Sequence, residues 1–211
     1  MKGAGGKMKV VAVVGGGRKG GNSAAVAHKL VAHLARFGIS NLETNILELA
    51  QYKVLPCREC LYECFQSQCP VDDEAHQLIL AMYSADVALL IVPTYGGLPP
   101  ASFVALLQRR QNEMTKLCPP KQYVVGMVIA NENGDVGEFT PAIVRSTVEQ
   151  WGADRTDFVQ LRPRDYQKSA IQIGLADNPL VELELDGIAT KIWNWFQGSS
   201  LGVYKGVTQQ K

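Results

Sequence analysis

Four of the five cysteines in this 211-residue chain are the residues whose types and spacing most directly suggest chemistry. Cys57, Cys60, Cys64 and Cys69 lie in one short segment, with two, three and four residues between successive thiols, whereas Cys118 lies alone. Thiolates ligate iron–sulfur clusters and zinc, and in a reducing compartment such a group favours metal or redox chemistry over disulfides. The residues leave three alternatives open: an iron–sulfur cluster, zinc, or no metal.

A second segment combines glycines with basic residues directly after a short β-branched run, Val10–Val14. Glycines allow backbone N–H groups to approach an anion, and a helix that starts there adds about half a positive charge. Arg18 and Lys19 can pair with phosphate oxygens. We interpret the segment as a phosphate-binding loop rather than a plain exposed turn, with these binding residues: Gly16, Gly17, Arg18, Lys19, Gly21, Asn22 and Ser23.

Two other nucleotide motifs match this loop only in part. Gly15-x-Gly17-x-x-Gly20 satisfies the dinucleotide fingerprint, but the acidic residue expected about 20 positions further on is missing around position 40. Asn22 lies where a Walker A motif requires lysine. Nucleotide hydrolysis is therefore disfavoured, and a dinucleotide-binding regulator is kept as a minor alternative.

Two further loops are predicted to lie beside the first. The loop Pro93–Pro100 follows the apolar run Val87–Val92 and places a tyrosine, whose flat ring suits contact with a planar heterocycle, before two glycines. The loop Asn131–Glu138 is polar and can offer N–H groups to ring carbonyls. The expected binding residues in these loops are Pro93, Thr94, Tyr95, Gly96, Gly97, Asn131, Glu132, Asn133 and Gly134.

Strand and helix patterns alternate along the chain, which predicts an α/β fold. Continuous apolar runs and helical periodicity indicate a doubly wound, five-stranded parallel sheet with helices on both faces. The predicted strands are 10–14, 42–49, 87–92, 123–130 and 156–161, and the predicted helices run from Asn22 or Ser23 to Gly38, from Asp72 or Asp73, and over 101–114, 141–151 and 179–196. We expect one domain over residues 8–197, with a cysteine-rich insertion at 56–70 and a flexible tail at 198–211.

Charge and hydropathy exclude several classes of function. Lys and Arg number 21 and Asp and Glu number 20, so no general field favours nucleic acid. No apolar run approaches the roughly 20 residues of a membrane span, and Val10–Val14 is too short for a signal sequence. We expect a cytoplasmic protein with no membrane or nucleic-acid partner.

The predicted phosphate-binding loop, residues 15–23, is called the glycine-basic loop below. It resembles the Gly-Ser-Pro-Arg-Lys-x-Gly-Asn-Thr phosphate loop of the NAD(P)H-dependent FMN reductase family, within the flavodoxin-like superfamily. The cysteine group with Asp72-Asp73, the strand ending Pro93-Thr94-Tyr95 and Gln108-Arg109 continue the resemblance in order, over roughly residues 8–152. Within the family the likeness is greatest to iron–sulfur flavoproteins, which carry four cysteines between the second strand and second helix. Here the middle cysteine gap is one residue longer, and Gly16 and Gly17 replace the serine and proline.

The resemblance implies a flavodoxin-like fold that binds FMN, with Arg18, Asn22 and Ser23 at the phosphate and Pro93–Gly96 beside the isoalloxazine. NAD(P)H would be the electron donor, and a quinone, a flavin or another small molecule the acceptor; the flavin performs the redox step, and no catalytic side chain is assigned. The alternative is an electron carrier that passes electrons between a cysteine-bound [4Fe-4S] cluster, FMN and a redox protein partner. The family also implies a homodimer or homotetramer.

Overall fold

The structure, a computed structural model, describes residues 7–39, 41–58, 60–67, 69–114, 121–130, 138–168 and 173–200. Five parallel strands form one sheet in the order β2-β1-β3-β4-β5. The strands are β1 (Lys7–Val14), β2 (Asn41–Glu48), β3 (Val87–Pro93), β4 (Tyr123–Ile129) and β5 (Arg155–Leu161). This is the flavodoxin-like order, so the predicted fold class is confirmed.

Five α-helices in the described ranges cover the sheet, and the side chains of β1 show which helices lie on each face. The helices are α1 (Asn22–Ala35), α2 (Ala75–Tyr83), α3 (Ala101–Met114), α4 (Phe139–Glu149) and α5 (Pro179–Ser200). Side chains alternate along a strand, so Val10 and Ala12 pack in the core with α1 and α5, whereas Val11 and Val13 pack in the core with α2, α3 and α4. A strand buried on both faces must be continuously apolar, as this one is.

Several predicted helix limits were wrong by a few residues. Gly21 is the N-cap of α1, so Asn22 and Ser23 lie inside its first turn rather than capping it, and α1 ends before Gly38. At α2, Asp73 Oδ1 accepts the Ala75 N–H at 3.1 Å, while Glu74 occupies the cap position.

The last two helices also differ from their predicted limits: α4 has the predicted length but is shifted by two residues, and α5 is longer. α4 starts two residues before the predicted Pro141, at Phe139. α5 continues to Ser200, so residues 198–200 of the predicted tail are helical, and residues 201–211 lie outside the described part of the chain. Within the described ranges, none of the helices combines the length and the apolar character that a membrane crossing requires.

Candidate functional site

The candidate site lies where the strand order reverses. β1 and β3 are neighbours, and the Gly15 N–H donates to the Ile91 carbonyl at 2.9 Å, one step past the end of β1. From there the chain passes into α1 on one face of the sheet, whereas the chain after β3 passes into α3 on the other. Such a divergence opens a crevice at the carboxyl ends of the strands, where α/β folds bind ligands.

A cleft of about 340 Å³ occupies this position, a size suited to a small-molecule ligand. It is lined by the glycine-basic loop after β1, by the loop after β3, and by the end of β4, the strand on the other side of β3 from β1. Its described lining residues are Gly16, Arg18, Gly21, Asn22, Ser23, Pro93, Thr94, Tyr95 and Ile129. All but Ile129 are among the residues that the sequence predicted.

The glycine-basic loop, residues 15–23, presents the start of α1 to this cleft. Asn22 and Ser23, in the first turn, are only 4% and 5% exposed. No acidic residue stands in that turn, all of which is described, so none of its own side chains neutralises the partial positive charge of the helix start. A Cβ on Gly21 would lie 3.3 Å from Arg18 Nε, so glycine leaves room for the guanidinium. This end of the cleft suits an anion.

Two side chains from other segments hold the backbone of the loop. The Gly17 N–H donates to the Tyr95 hydroxyl at 3.1 Å, which joins the loop to the one after β3. The Gly20 N–H donates to Glu48 Oε2 at 2.8 Å. Gly17 and Lys19, both predicted to bind the ligand, are exposed and do not line the cleft.

The loop after β3, residues 94–100, is a tight turn. Tyr95 and Leu98 exchange backbone hydrogen bonds of 2.9 and 3.2 Å, and Gly96 and Gly97 between them have φ of +57° and +79°, which glycine adopts without strain. The Gly97 carbonyl accepts the Thr140 hydroxyl at 2.9 Å. The two predicted glycines therefore shape the turn and do not line the cleft, whereas Tyr95 lines it and is 53% exposed.

The remaining predicted flavin contacts belong to the segment that follows β4. Asn131, Glu132, Asn133 and Gly134 lie outside the described residues, as does Cys118. The described residue nearest to them in the cleft is Ile129, at the end of β4. No sequence motif marked Ile129 as a lining residue, although its place at the carboxyl end of a central strand is a signal that could have found it.

The four clustered cysteines are free thiols in the cysteine loop, residues 56–70. Cys57 is exposed and the other three are half-buried. Burial raises the pKa of the Cys64 thiol; a hydrogen bond with Cys60 and the nearby Cys69 and Cys57 raise it further. The thiols are thus neighbours, but among the described residues no three cysteine, histidine or acidic side chains converge on one point. The four thiols are the type of ligand that an iron–sulfur cluster or zinc requires, but they are not arranged around a common point as such a site requires.

A buried ion pair holds the two ends of the cysteine loop together at Leu55 and Val71, and we call this place the neck of the loop. Arg109 Nη1 donates to Asp73 Oδ2 at 2.8 Å, and both side chains are almost fully buried. Arg109 also donates to the carbonyls of Leu55 at 3.5 Å and Val71 at 3.4 Å, while Asp73 Oδ2 accepts the Leu55 N–H at 2.8 Å. The pair therefore joins the two ends of the loop to α3.

Sequence reasoning missed the positioning roles of two acidic residues. Asp73 was predicted as one of two possible starts of the second helix. Glu48 received no role, because it lies beyond the position near 40 where the dinucleotide fingerprint expects an acid. Glu48 is in fact the last residue of β2, where such an acid would bind ribose, but it binds Gly20 and does not line the cleft. Its position at the same sheet edge as the glycine-basic loop was the available signal.

The cleft residues fit the two ends of FMN. The start of α1 and the Arg18 guanidinium suit a phosphate, and the Tyr95 ring with Pro93 and Ile129 suits a flat heterocycle. A parallel sheet of order β2-β1-β3-β4-β5, with the cleft at its switch point, defines the flavodoxin-like class of α/β proteins.

The chain belongs to the NADPH-dependent FMN reductase family, whose model matches residues 8–131, more than half of its length. An iron-sulfur flavoprotein of Methanocaldococcus jannaschii is 29% identical over 102 residues, which are 48% of this chain and 51% of that protein. The chain therefore matches about half the length of that relative. Its fold is similar to an azoreductase from Bacillus anthracis and to an NAD(P)H:quinone oxidoreductase from Methanothermobacter marburgensis.

Each of these two structures superposes with a TM-score of 0.65 over 87% of this chain. The azoreductase is 14% identical and matched over 99% of its length, and the quinone oxidoreductase 11% identical and matched over 98%. At such identities the similarity shows the fold alone.

Proposed function

We propose that this chain binds FMN in the cleft and catalyses NAD(P)H-dependent reduction of a quinone, a flavin or another small acceptor. The flavin phosphate would lie against the glycine-basic loop, and the isoalloxazine against Pro93, Thr94 and Tyr95. FMN, when bound, supplies the acceptance of hydride from reduced nicotinamide and the onward transfer of electrons. The described residues of the chain bind and orient it, and none is assigned acid or base catalysis.

One observation carries this proposal: a single cleft is lined both by the start of α1 with Arg18 and by the aromatic loop after β3. Either loop alone is a common surface feature. Their convergence at the switch point supports a ligand with an anionic tail and a planar head. The engagement of Glu48 outside the cleft weighs against the alternative of a dinucleotide-binding regulator, which needs an acid turned toward the ribose.

Titration with FMN tests the binding step. We expect quenching of flavin fluorescence to saturate at one FMN per chain. Arg18→Ala should raise the dissociation constant about ten- to a hundredfold, because a charge-assisted contact with phosphate is lost. Lys19→Ala is the matched control, since the neighbouring lysine does not line the cleft. Absence of FMN uptake by the folded wild type would refute the proposal.

A steady-state assay of the FMN-loaded protein tests the reaction. NADH or NADPH should be oxidised faster when a benzoquinone or free flavin is added as acceptor. Loaded protein that oxidises neither nucleotide would leave FMN binding standing and remove the enzymatic proposal.

The electron-carrier alternative is favoured by one contact. α3 begins directly after the loop that lines the cleft, and its Gln108 Oε1 accepts the Cys57 N–H at 3.2 Å. The helix thus joins the cleft to a loop of four thiols, which suits a cluster in type. Serine at both Cys60 and Cys64 separates the readings: NAD(P)H oxidation persists in the enzyme, whereas transfer to a redox protein is lost in the carrier.

The proposal also includes a cytoplasmic location and a homo-oligomeric state. A cytoplasmic location fits the group of free thiols, which a reducing environment would preserve. A homodimer or homotetramer rests on the family resemblance, and light scattering of the FMN-loaded protein tests it.

A further inference from the structure

Glu48 ends the strand beside the glycine-basic loop, and the register of the sheet fixes its backbone there. It is the last residue of β2 and pairs with Val14, the last residue of β1. The loop leaves the sheet one residue after Val14. A side chain at position 48 therefore reaches the loop from a fixed point on the neighbouring strand.

Both carboxylate oxygens of Glu48 are engaged. Oε2 accepts the Gly20 N–H at 2.8 Å, and Oε1 accepts Gln51 Nε2 at 3.1 Å from the short 3₁₀ turn that follows β2. The second contact orients the carboxylate toward Gly20. A charged acceptor of this kind makes a stronger hydrogen bond than a neutral one.

The N–H group that Glu48 accepts belongs to a residue that does not line the cleft. Gly16, Arg18 and Gly21 line the cleft, whereas Gly20 and Glu48 do not. Gly20 has φ of +66°, a left-handed conformation, and no atom lies within 4 Å of where its Cβ would be. The Glu48 contact holds this permissive residue, while Arg18 before it and Gly21 after it face the cleft.

The charge of Glu48 does not itself favour the ligand. A carboxylate beside an anion-binding loop opposes a bound phosphate, so its contribution must come through the loop conformation. We propose that Glu48 is a positioning residue: by accepting the Gly20 N–H it sets the conformation in which Arg18 and the start of α1 face the FMN phosphate. This inference rests on the FMN binding proposed above.

Two substitutions separate the acceptor from the charge. Glu48→Ala removes both, and we expect the dissociation constant for FMN to rise about tenfold, as for the loss of one charge-assisted hydrogen bond. Glu48→Gln keeps an acceptor oxygen and removes the charge, so FMN should bind as tightly as to the wild type or more tightly. Glu43→Ala is the matched control, because Glu43 lies on the same strand and pairs with Lys7.

Limited trypsin digestion without FMN provides a second, independent readout. Trypsin cleaves after Arg18 and Lys19, and the nitrogen of the Lys19–Gly20 bond is the atom that Glu48 holds. Cleavage at these two sites should be several-fold faster in Glu48→Ala than in the wild type, Glu48→Gln or Glu43→Ala. A thermal melt of each variant checks that the whole domain remains folded.

Each outcome decides one question. Faster cleavage and weaker FMN binding in Glu48→Ala alone support the inference. Wild-type behaviour of Glu48→Ala, or equal losses in Glu48→Gln, overturns it. A wild type that binds no FMN refutes the proposed function, and the digestion then still decides whether Glu48 holds the loop.

Discussion

The glycine-basic loop and the cysteine loop follow neighbouring strands at the same edge of the sheet, yet they are held in opposite ways. The first is fixed near its middle, where Gly17 and Gly20 donate to Tyr95 and Glu48. The second is fixed at its neck by the buried pair of Asp73 and Arg109. In the roles proposed above, binding of a phosphate through backbone N–H groups requires a fixed backbone, whereas chemistry at thiols requires only that the ends of the loop are held in place.

The part of the cysteine loop beyond its neck contains residues in unfavourable backbone conformations. Leu61 and Tyr62 are 82% and 76% exposed, and both have left-handed backbone conformations, with φ of 48° and 60°. Such conformations are unfavourable for residues with a Cβ. The stability of the segment must therefore come from the neck, since the described residues beyond it bury little apolar area.

The largest expected effect comes from breaking the neck. Asp73→Ala leaves the buried Arg109 guanidinium unpaired and the Leu55 N–H without its acceptor. Loss of one partner of a buried pair costs about 3–5 kcal/mol in the free energy of unfolding. Denaturant unfolding measures it, with Asp72→Ala at the exposed neighbouring position as control, where we expect a change within about 0.5 kcal/mol.

The same measurement on Glu48→Ala tests the contrast itself. The Glu48 contact is more exposed, so its removal should cost far less global stability than that of Asp73. Equal losses in the two variants would contradict the distinction between a loop held at its neck and one adjusted at its middle.

An intermediate effect is expected in the pH dependence of thiol alkylation. The pKa of Cys64 is raised by burial and by its hydrogen bond with Cys60, so less thiolate is present at a given pH. Its alkylation by iodoacetamide, followed by peptide mass spectrometry, should rise at higher pH than in the denatured chain, with a several-fold lower rate near pH 8.

Cys60→Ala sharpens this measurement. Removal of the neighbouring thiol should move the alkylation profile of Cys64 toward lower pH, because one cause of the raised pKa is gone. An unchanged profile would mean that the thiols do not influence one another, and the description of the cysteine loop as a group of neighbouring thiols would be wrong.

Sequence patterns predicted the parts of the molecule that depend on local order. α3 has the predicted limits, Ala101–Met114, because two prolines precede it and its apolar residues recur at helical spacing. The central strands β3 and β4 were placed within one residue, since both are continuously apolar and buried. The convergence of the glycine-basic loop and the Tyr95 loop follows from the topology of a doubly wound sheet.

The contacts that set each loop could not be predicted in this way. Glu48 reaches Gly20 across 28 positions and Arg109 reaches Asp73 across 36. Both depend on strand register and on how a helix docks, which spacing does not encode. The start of α4 is a further example. The helix begins before Pro141, and the Thr140 hydroxyl in its first turn donates to the carbonyl of Gly97, which is distant in the sequence.

The smallest expected effect concerns the hydroxyl that joins the two loops of the cleft. Tyr95→Phe keeps the ring and removes the acceptor of the Gly17 N–H, an exposed contact of 3.1 Å. Water can replace that acceptor, so the dissociation constant for FMN should rise only about two- to fivefold, near the lower limit for one hydrogen bond. Fluorescence titration measures the change, with Tyr62→Phe, on the cysteine loop, as control.

The size of this effect discriminates between two roles of Tyr95. If its ring contacts the flavin and its hydroxyl only joins the loops, Tyr95→Phe has the small effect described and Tyr95→Ala a much larger one, because a stacking surface is lost. A loss in Tyr95→Phe as large as in Tyr95→Ala would assign the binding energy to the hydroxyl. The glycine-basic loop would then depend on Tyr95 as strongly as the cysteine loop depends on Asp73, and the contrast between the two loops would not hold.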